Sequence, residues 1–81
     1  MQGGWAYPPE PRVIIRVTKN GHCYIAEDRL SCKGVVAQLT DMHINLVDRV
    51  EVMGGPLKVV YEVVGALNKN GYSNVVAFYE K

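Results

Sequence analysis

Residues 12–28 read RVIIRVTKNGHCYIAED, and this stretch predicts a β-hairpin around which the other elements are arranged. Asn20-Gly21 suits the two positive-φ positions of a type I′ turn, and β-branched and aromatic residues flank it on both sides. The predicted strands run from Arg12 to Lys19 and from His22 to Glu27. When Lys19 pairs with His22, the side chains that face the helices are Val13, Ile15, Val17, Tyr24 and Ala26. The opposite side of the hairpin carries Ile14, Arg16, Thr18, Cys23 and Ile25.

Residues 56–80, PLKVVYEVVGALNKNGYSNVVAFYE, predict a helix that is followed at once by a strand. Pro56 suits the first helical turn, and Gly71 suits the left-handed position just after a helix. The apolar stripe of this helix consists of Val60, Val64 and Leu67, with Tyr61 and Val63 beside it. In the strand, alternation directs Val75, Ala77 and Tyr79 to one side and Val76 and Phe78 to the other.

The middle of the chain predicts a short helix and one more strand. Ser31 is a good N-cap for a helix that ends near Asp41, and its apolar side chains are Val35, Val36, Leu39 and Met42. A strand over about Arg49 to Met53 follows, because the segment is rich in Val and stops at Gly54-Gly55. The predicted fold is therefore α+β in the order β-β-α-β-α-β, with two helices on one face of a small mixed sheet. A right-handed crossover makes the last two strands parallel neighbours.

The first segment, MQGGWAYPPEP, predicts a flexible leader or linker over residues 1–11, ahead of a single domain over residues 12–81. It holds three of the chain's four prolines, which prevent it from forming a helix or a central strand. Its Trp5 and Tyr7 either pack back onto the domain or mark a contact surface, and packing is the favoured interpretation.

Length and charge exclude several classes of function. A chain of 81 residues buries only a small core and has little room for an enclosed active site. Nine Lys and Arg against eight Asp and Glu, spread evenly, form no basic stripe for nucleic acid. The apolar runs are far shorter than the ~20 residues that cross a bilayer, and Met1 to Gly4 does not resemble the start of a signal peptide.

Cys23 and Cys32 lie nine positions apart, which matches neither a zinc pair nor a CxxC redox motif. We expect both to be small apolar packing residues with free thiols, and a disulfide in an oxidising compartment stays open as the alternative. The predicted hairpin register points Cys23 away from the helices, which argues against pairing with Cys32.

The remaining polar residues do not form a reactive site. His22 and His43 have no carboxylate and nucleophile near them in sequence, and Ser31 and Ser73 suit capping and turn roles. Gly54-Gly55-Pro56 lacks the spacing of a phosphate-binding loop. No catalytic, cofactor-binding or metal-binding residue is predicted. A small sheet nevertheless has an open edge, and SNVVAFYE is suited to strand pairing with another chain. The predicted interface residues are Tyr72, Val75, Ala77 and Tyr79.

Two segments carry a family resemblance. Residues 22–39, HCYIAEDRLSCKGVVAQL, lead from a strand into a helix capped by Ser31, with Cys32, Val35 and Leu39 at the apolar positions. Residues 56–81 place seven further residues at matching positions: Pro56, Val60, Val63, Val64, Leu67, Gly71 and Val75. Over about residues 12–80 the chain resembles the periplasmic domain of the ExbD/TolR family, whose members are small partners of proton-driven motors in Gram-negative inner membranes.

The resemblance implies a non-enzymatic interaction domain in the periplasm, as part of a longer protein anchored in the inner membrane. It implies a homodimer that needs no cofactor and that contacts a TonB- or TolA-like transducer or peptidoglycan, alongside an ExbB- or TolQ-like membrane partner. The alternative is a small cytoplasmic ligand-binding or regulatory α+β domain that binds near Gly54-Gly55.

Overall fold

The computed structural model describes residues 11–79, so the predicted leader over residues 1–11, with Trp5 and Tyr7, lies outside the described residues except for Pro11. The strands are β1 (Val13–Val17), β2 (His22–Ile25), β3 (Asp28–Ser31), β4 (Val50–Gly54) and β5 (Val75–Tyr79). The helices are α1 (Val35–Asp41), which follows a 3-10 turn over Cys32–Gly34, and α2 (Leu57–Lys69).

The five strands form one mixed sheet in the order β3-β2-β1-β4-β5. β1, β2 and β3 pair antiparallel as a meander, whereas β4 lies parallel to both β1 and β5. The predicted α+β class is confirmed, and so is the parallel pairing of the last two strands across α2. The order differs from the predicted β-β-α-β-α-β in one element, β3, since no strand was predicted between the hairpin and the first helix.

β3 follows β2 through a two-residue turn at Ala26 and Glu27, with Ile25 paired to Asp28. Ala26 has a φ of 56°, a conformation that Gly or Asn usually supplies. The strand itself, DRLS, contains no β-branched or aromatic residue. Because neither the turn nor the strand carries the usual sequence signal, β3 was not predicted from the sequence.

The first hairpin has a different register from the predicted one. The Thr18 amide donates to the His22 carbonyl at 2.9 Å and the Gly21 amide to the Thr18 carbonyl at 3.2 Å, which leaves three residues in the loop. Gly21 has a φ of 78°, whereas Asn20 is not in the left-handed region, so the turn is not type I′.

The observed pairs are Ile15 with Ile25, Arg16 with Tyr24 and Val17 with Cys23. This shift by one residue turns every side chain of β2 to the other side. Cys23 and Ile25 are buried, and Tyr24 and Ala26 are not in the core. The predicted face of the second strand was therefore wrong.

The core lies on one side of the sheet, between the strands and both helices. Along β1 the burial alternates, so that Val13, Ile15 and Val17 are buried and Ile14 and Arg16 are exposed. α1 adds Val35 and Leu39, and α2 adds Val60, Val63 and Leu67 to the same cluster. We call the other side of the sheet the outer face; its strand residues are Ile14, Arg16, His22, Tyr24, Arg29, Ser31, Glu51, Met53, Val76 and Phe78.

α2 begins and ends close to where its sequence predicts. Pro56 is the N-cap residue, and the helix stops in a Schellman arrangement at Gly71, whose φ is 95°. There the Tyr72 amide donates to the Leu67 carbonyl at 3.0 Å and the Gly71 amide to the Asn68 carbonyl at 3.1 Å. Of the residues predicted beside the apolar stripe, Val63 is buried, whereas Tyr61 is 56% exposed.

Gly54 lies where β4 comes into close contact with the backbone of its parallel neighbour β1. It is paired with Val17 and has a φ of 118°, which side-chain-bearing residues rarely adopt. A Cβ atom built on Gly54 would overlap the backbone carbonyl oxygen of Val17. The carbonyl is part of the backbone of β1, the central strand, and cannot shift without displacing that strand, so this position favours glycine.

We expect Gly54→Ala to lower the free energy of unfolding by about 2–5 kcal/mol, because the backbone strain and the overlap with Val17 add together. The matched control is Gly65→Ala on the exposed side of α2, where an added Cβ atom meets nothing within 4 Å. This control should raise the free energy of unfolding by about 0.5–1 kcal/mol through helix propensity. Urea denaturation followed by circular dichroism measures both, and equal effects of the two substitutions would contradict the close approach.

Candidate functional site

The histidines and serines do not gather in one place: His22 and Ser31 lie opposite each other in β2 and β3, whereas His43 and Ser73 lie in the loops that follow α1 and α2. His22 is exposed at the start of β2, and His43, with a φ of 58°, follows the end of α1. The Ser31 hydroxyl accepts from the Lys33 amide at 3.3 Å, and the Ser73 hydroxyl donates to the Leu46 carbonyl at 3.3 Å. These are the predicted capping and turn roles. Within residues 11–79, no three His, Cys, Asp or Glu side chains are grouped so that they could hold a metal ion.

Neither helix in the described part of the chain has both the length and the apolar content that crossing a bilayer requires.

The two edges of the sheet differ in a way that favours β5 as the pairing edge. β3, at one edge, is four residues long and carries the exposed charges of Asp28 and Arg29. β5, at the other edge, has the sequence VVAFY, with no charged residue and no proline. Short and charged edge strands resist the addition of another strand, whereas an uncharged and β-rich edge accepts one. Among residues 11–79, no strand pairs with the outer side of β5.

The backbone hydrogen bonds of β5 show which of its residues direct their amides and carbonyls to the open edge. The Val50 amide of β4 donates to the Asn74 carbonyl at 3.0 Å, so the polar groups of Asn74 point toward β4. Successive residues in a strand point these groups to alternate sides. Val76 and Phe78 therefore bond to β4, and the amides and carbonyls of Val75, Ala77 and Tyr79 point to the open edge.

The structure brings together three of the four predicted interface residues and separates the fourth. Val75 and Ala77 direct their side chains toward the core, where they are partly buried, while their backbone groups serve the edge. Tyr79 is the last residue of β5 and lies opposite Gly54. Tyr72 is only 3% exposed and precedes β5, so its side chain belongs to the core and it does not lie on the edge.

The outer face carries a second feature, which was not predicted from the sequence. One row of side chains crosses all five strands in the order Arg29, Tyr24, Arg16, Met53 and Phe78. The Arg16 guanidinium lies over the Tyr24 ring, 5.6 Å from its centroid. Phe78 is 47% exposed and Ile14 in the neighbouring row is 40% exposed. The sequence signal for this feature was that β4 and β5 carry apolar residues on both of their sides.

An open cleft of about 480 Å³ lies at the carboxyl ends of β1, β4 and β5. Its lining residues are Arg16, Val17, Thr18, Tyr24, Met53, Gly54 and Phe78. Gly54 was predicted to mark a possible binding region, and the structure places it in this cleft. The cleft suits a flat aromatic group, because Tyr24, Met53 and Phe78 supply apolar or aromatic walls and Arg16 supplies a guanidinium.

Cys23 and Cys32 form a disulfide, which corrects the expectation of free thiols. Their Cα atoms are 5.0 Å apart, and the bond joins β2 to the 3-10 turn before α1. The shifted hairpin register is the physical reason, since it turns Cys23 into the core, where it is fully buried. Disulfides persist in oxidising compartments and are rare in the cytosol.

Compared with protein-family models and with curated proteins, the chain has no match in either. The features that bear on function are therefore the open edge of β5, the outer face and the disulfide.

We expect the pair of substitutions Cys23→Ala and Cys32→Ala to lower the free energy of unfolding by about 2–4 kcal/mol, because the unfolded chain regains the freedom of the closed loop. Reduction of the wild-type protein with dithiothreitol should lower its stability by a similar amount and leave the double variant unchanged. In denaturant, thiol titration should detect no thiols before reduction and both cysteines after it. Two reactive thiols in the unreduced protein, purified under oxidising conditions, would contradict the bond.

Proposed function

We propose that this chain is a non-enzymatic interaction module that pairs the open edge of β5 with a strand of another chain. The observation that carries the proposal is the geometry of β5, an uncharged edge strand whose amides and carbonyls at Val75, Ala77 and Tyr79 point away from the sheet. Backbone hydrogen bonds supply the affinity of such pairing, and the alternate side chains supply its selectivity. Val76 and Phe78 are the side chains that a partner meets on the outer face.

A second copy of the chain is the simplest partner. When two β5 strands pair antiparallel around a two-fold axis, each copy offers the same groups to the other, and the two five-stranded sheets join into one continuous sheet. β5 has no like charges that would oppose each other in this arrangement. A TonB- or TolA-like transducer that offers an extended segment would use the same edge.

The setting that we propose is the periplasm, as an ExbD- or TolR-like domain of a protein anchored in the inner membrane next to an ExbB- or TolQ-like partner. Two observations support this setting. The residues of the resemblance occupy folding positions, with Ser31 as a cap and Gly71 at the end of α2. The disulfide between Cys23 and Cys32 suits an oxidising compartment. Contact with peptidoglycan is a further part of the proposal, drawn from the resemblance alone.

One observation favours the alternative, a small ligand-binding or regulatory domain. The cleft beside Gly54 lies at the carboxyl ends of parallel strands, which is where many α/β proteins bind ligands. The disulfide opposes the cytoplasmic setting of that alternative. The cleft also has no buried polar side chain in the described part of the chain, so it offers little orientation to a polar ligand.

The edge is tested by Val75→Pro together with Ala77→Pro. Proline removes the two amides that point outward and keeps those that bond to β4, so the monomer should stay folded. We expect the wild-type chain to dimerise in sedimentation equilibrium and the double variant to do so at least tenfold more weakly. Each lost hydrogen bond costs about 1 kcal/mol, and a symmetric dimer loses bonds from both copies.

Two variants serve as controls for this experiment. Val75→Ala keeps the amide and should dimerise like the wild-type chain. Val76→Pro removes an amide that bonds to β4 and should lower the thermal unfolding midpoint of the monomer. A double proline variant that is folded and still dimerises with wild-type affinity would show that β5 is not the interface.

A further inference from the structure

We propose that a dimer formed through β5 has a second contact, in which the side of α2 that carries Leu57, Tyr61 and Val64 packs against the same side of a second copy. We call these three residues the α2 flank. The inference rests on the proposed pairing of β5, because that pairing brings the two helices together. It adds a contact between side chains to one that otherwise consists of backbone hydrogen bonds.

The α2 flank faces the open edge of the sheet. On the opposite side of the helix, Val59, Glu62 and Ala66 line a groove together with Gly21 and Cys32, which belong to the β1–β2 loop and to the turn after β3. In the sheet, β2 and β3 lie on the far side of β1 from β5. Successive helical residues are about 100° apart, so the α2 flank lies on the other side of the buried stripe, toward β5.

The α2 flank is apolar and partly open to solvent. Leu57 is 38% exposed and Tyr61 is 56% exposed, while Val64 is partly buried against the core. The next residue in this row is Asn68, which is exposed and uncharged. Spacings that alternate between four and three residues align side chains along one side of a helix, as in helices that pack in pairs. Because the row carries no charge, two copies of it can approach without repulsion.

The pairing of two β5 strands sets the distance between the helices. A two-fold axis perpendicular to the sheet makes the strands antiparallel and keeps both α2 helices on the same side. α2 packs on both β4 and β5, so its axis lies over the gap between these strands. Strands in a sheet are about 4.8 Å apart, and the two helix axes are therefore two spacings, roughly 9.6 Å, apart. Packed helices have axes about 8–10 Å apart, so the two α2 helices meet at packing distance.

The sequence of β5 leaves room for this contact. When the two-fold axis passes through Ala77, Val75 of one copy pairs with Tyr79 of the other, and the outward backbone groups of all three residues find partners. Ala77 directs its side chain to the helix side of the sheet and is the smallest residue of β5. Two methyl groups at the axis leave space above them for side chains of both α2 flanks.

The helix contact also supplies area that the edge lacks. Stable interfaces bury about 1,200–2,000 Å² in total, and two five-residue strands that share only their edges bury much less. A buried aromatic side chain covers about 150–250 Å². Tyr61 and Leu57 of both copies therefore add apolar area where it is needed.

The contact is tested by Leu57→Glu together with Tyr61→Glu. Both side chains are exposed in the monomer, and an acidic residue in the first turn suits the positive end of a helix, so the variant should fold. We expect it to dimerise at least tenfold more weakly than the wild-type chain in sedimentation equilibrium, because carboxylates in an apolar contact lose hydration. The matched control is Ala37→Glu together with Thr40→Glu, which adds the same charge at exposed positions of α1 and should leave dimerisation unchanged.

A rescue experiment separates contact from folding. Leu57→Lys together with Tyr61→Lys should also weaken the homodimer, whereas an equimolar mixture of the lysine and glutamate variants should form a heterodimer. Circular dichroism checks that each variant is folded. A folded glutamate variant that dimerises like the wild-type chain, or a mixture that stays monomeric, would overturn the helix contact.

The double proline variant of β5 shows which proposal fails. If the prolines abolish the dimer and the α2 flank variants do not weaken it, β5 pairs without the helices and only the present inference is wrong. If the wild-type chain is monomeric, or if its dimer withstands the prolines, the pairing of β5 is wrong and the helix contact falls with it.

Discussion

The hydrogen bond from the Thr18 amide to the His22 carbonyl determines which side of β2 faces the helices. With three residues in the loop, Cys23 and Ile25 enter the core beside Val17 and Ile15. A loop one residue shorter would place Tyr24 and Ala26 there instead, and a phenol and a methyl group fill that space poorly. The disulfide to Cys32 and the aromatic row on the outer face both depend on this choice. The parallel pairing of β1 with β4 continues the same inner and outer sides into the rest of the sheet.

The parts of the fold that were predictable from the sequence are those set by local signals. The hairpin at Gly21, α2 with its stop at Gly71, and the final strand each have several agreeing residues within one element. β3 was not predictable, since DRLS has no strand propensity and Ala26 is an unusual residue at positive φ. The hairpin register was ambiguous because Asn20-Gly21 fits a two-residue loop and a three-residue loop equally well. The greater bulk of Ile25 compared with Ala26 was the signal that favours the observed register.

The candidate site was partly predictable for a similar reason. The composition of β5 indicated a pairing strand, and the structure places that strand at an edge. The hydrogen bond between the Val50 amide and the Asn74 carbonyl determines which backbone groups of β5 point outward. These two residues are distant in sequence, so the local sequence does not reveal this bond. Tyr72 was included in the predicted interface because it adjoins the strand, but its side chain is buried in the core. The outer-face cleft is built from four segments and required the tertiary arrangement.

The parallel arrangement of β1, β4 and β5 has a mechanical consequence. β1 starts and β5 finishes at opposite ends of the strand direction, since both run the same way on either side of β4. A pulling force applied between residues 11 and 79 therefore runs along the strands, and it loads the evenly spaced hydrogen bonds on both sides of β4 in shear, all at the same time. The cross-link between Cys23 and Cys32 lies outside this path and carries none of the tension. Under such a force the ladders on both sides of β4 would resist together instead of opening one bond at a time.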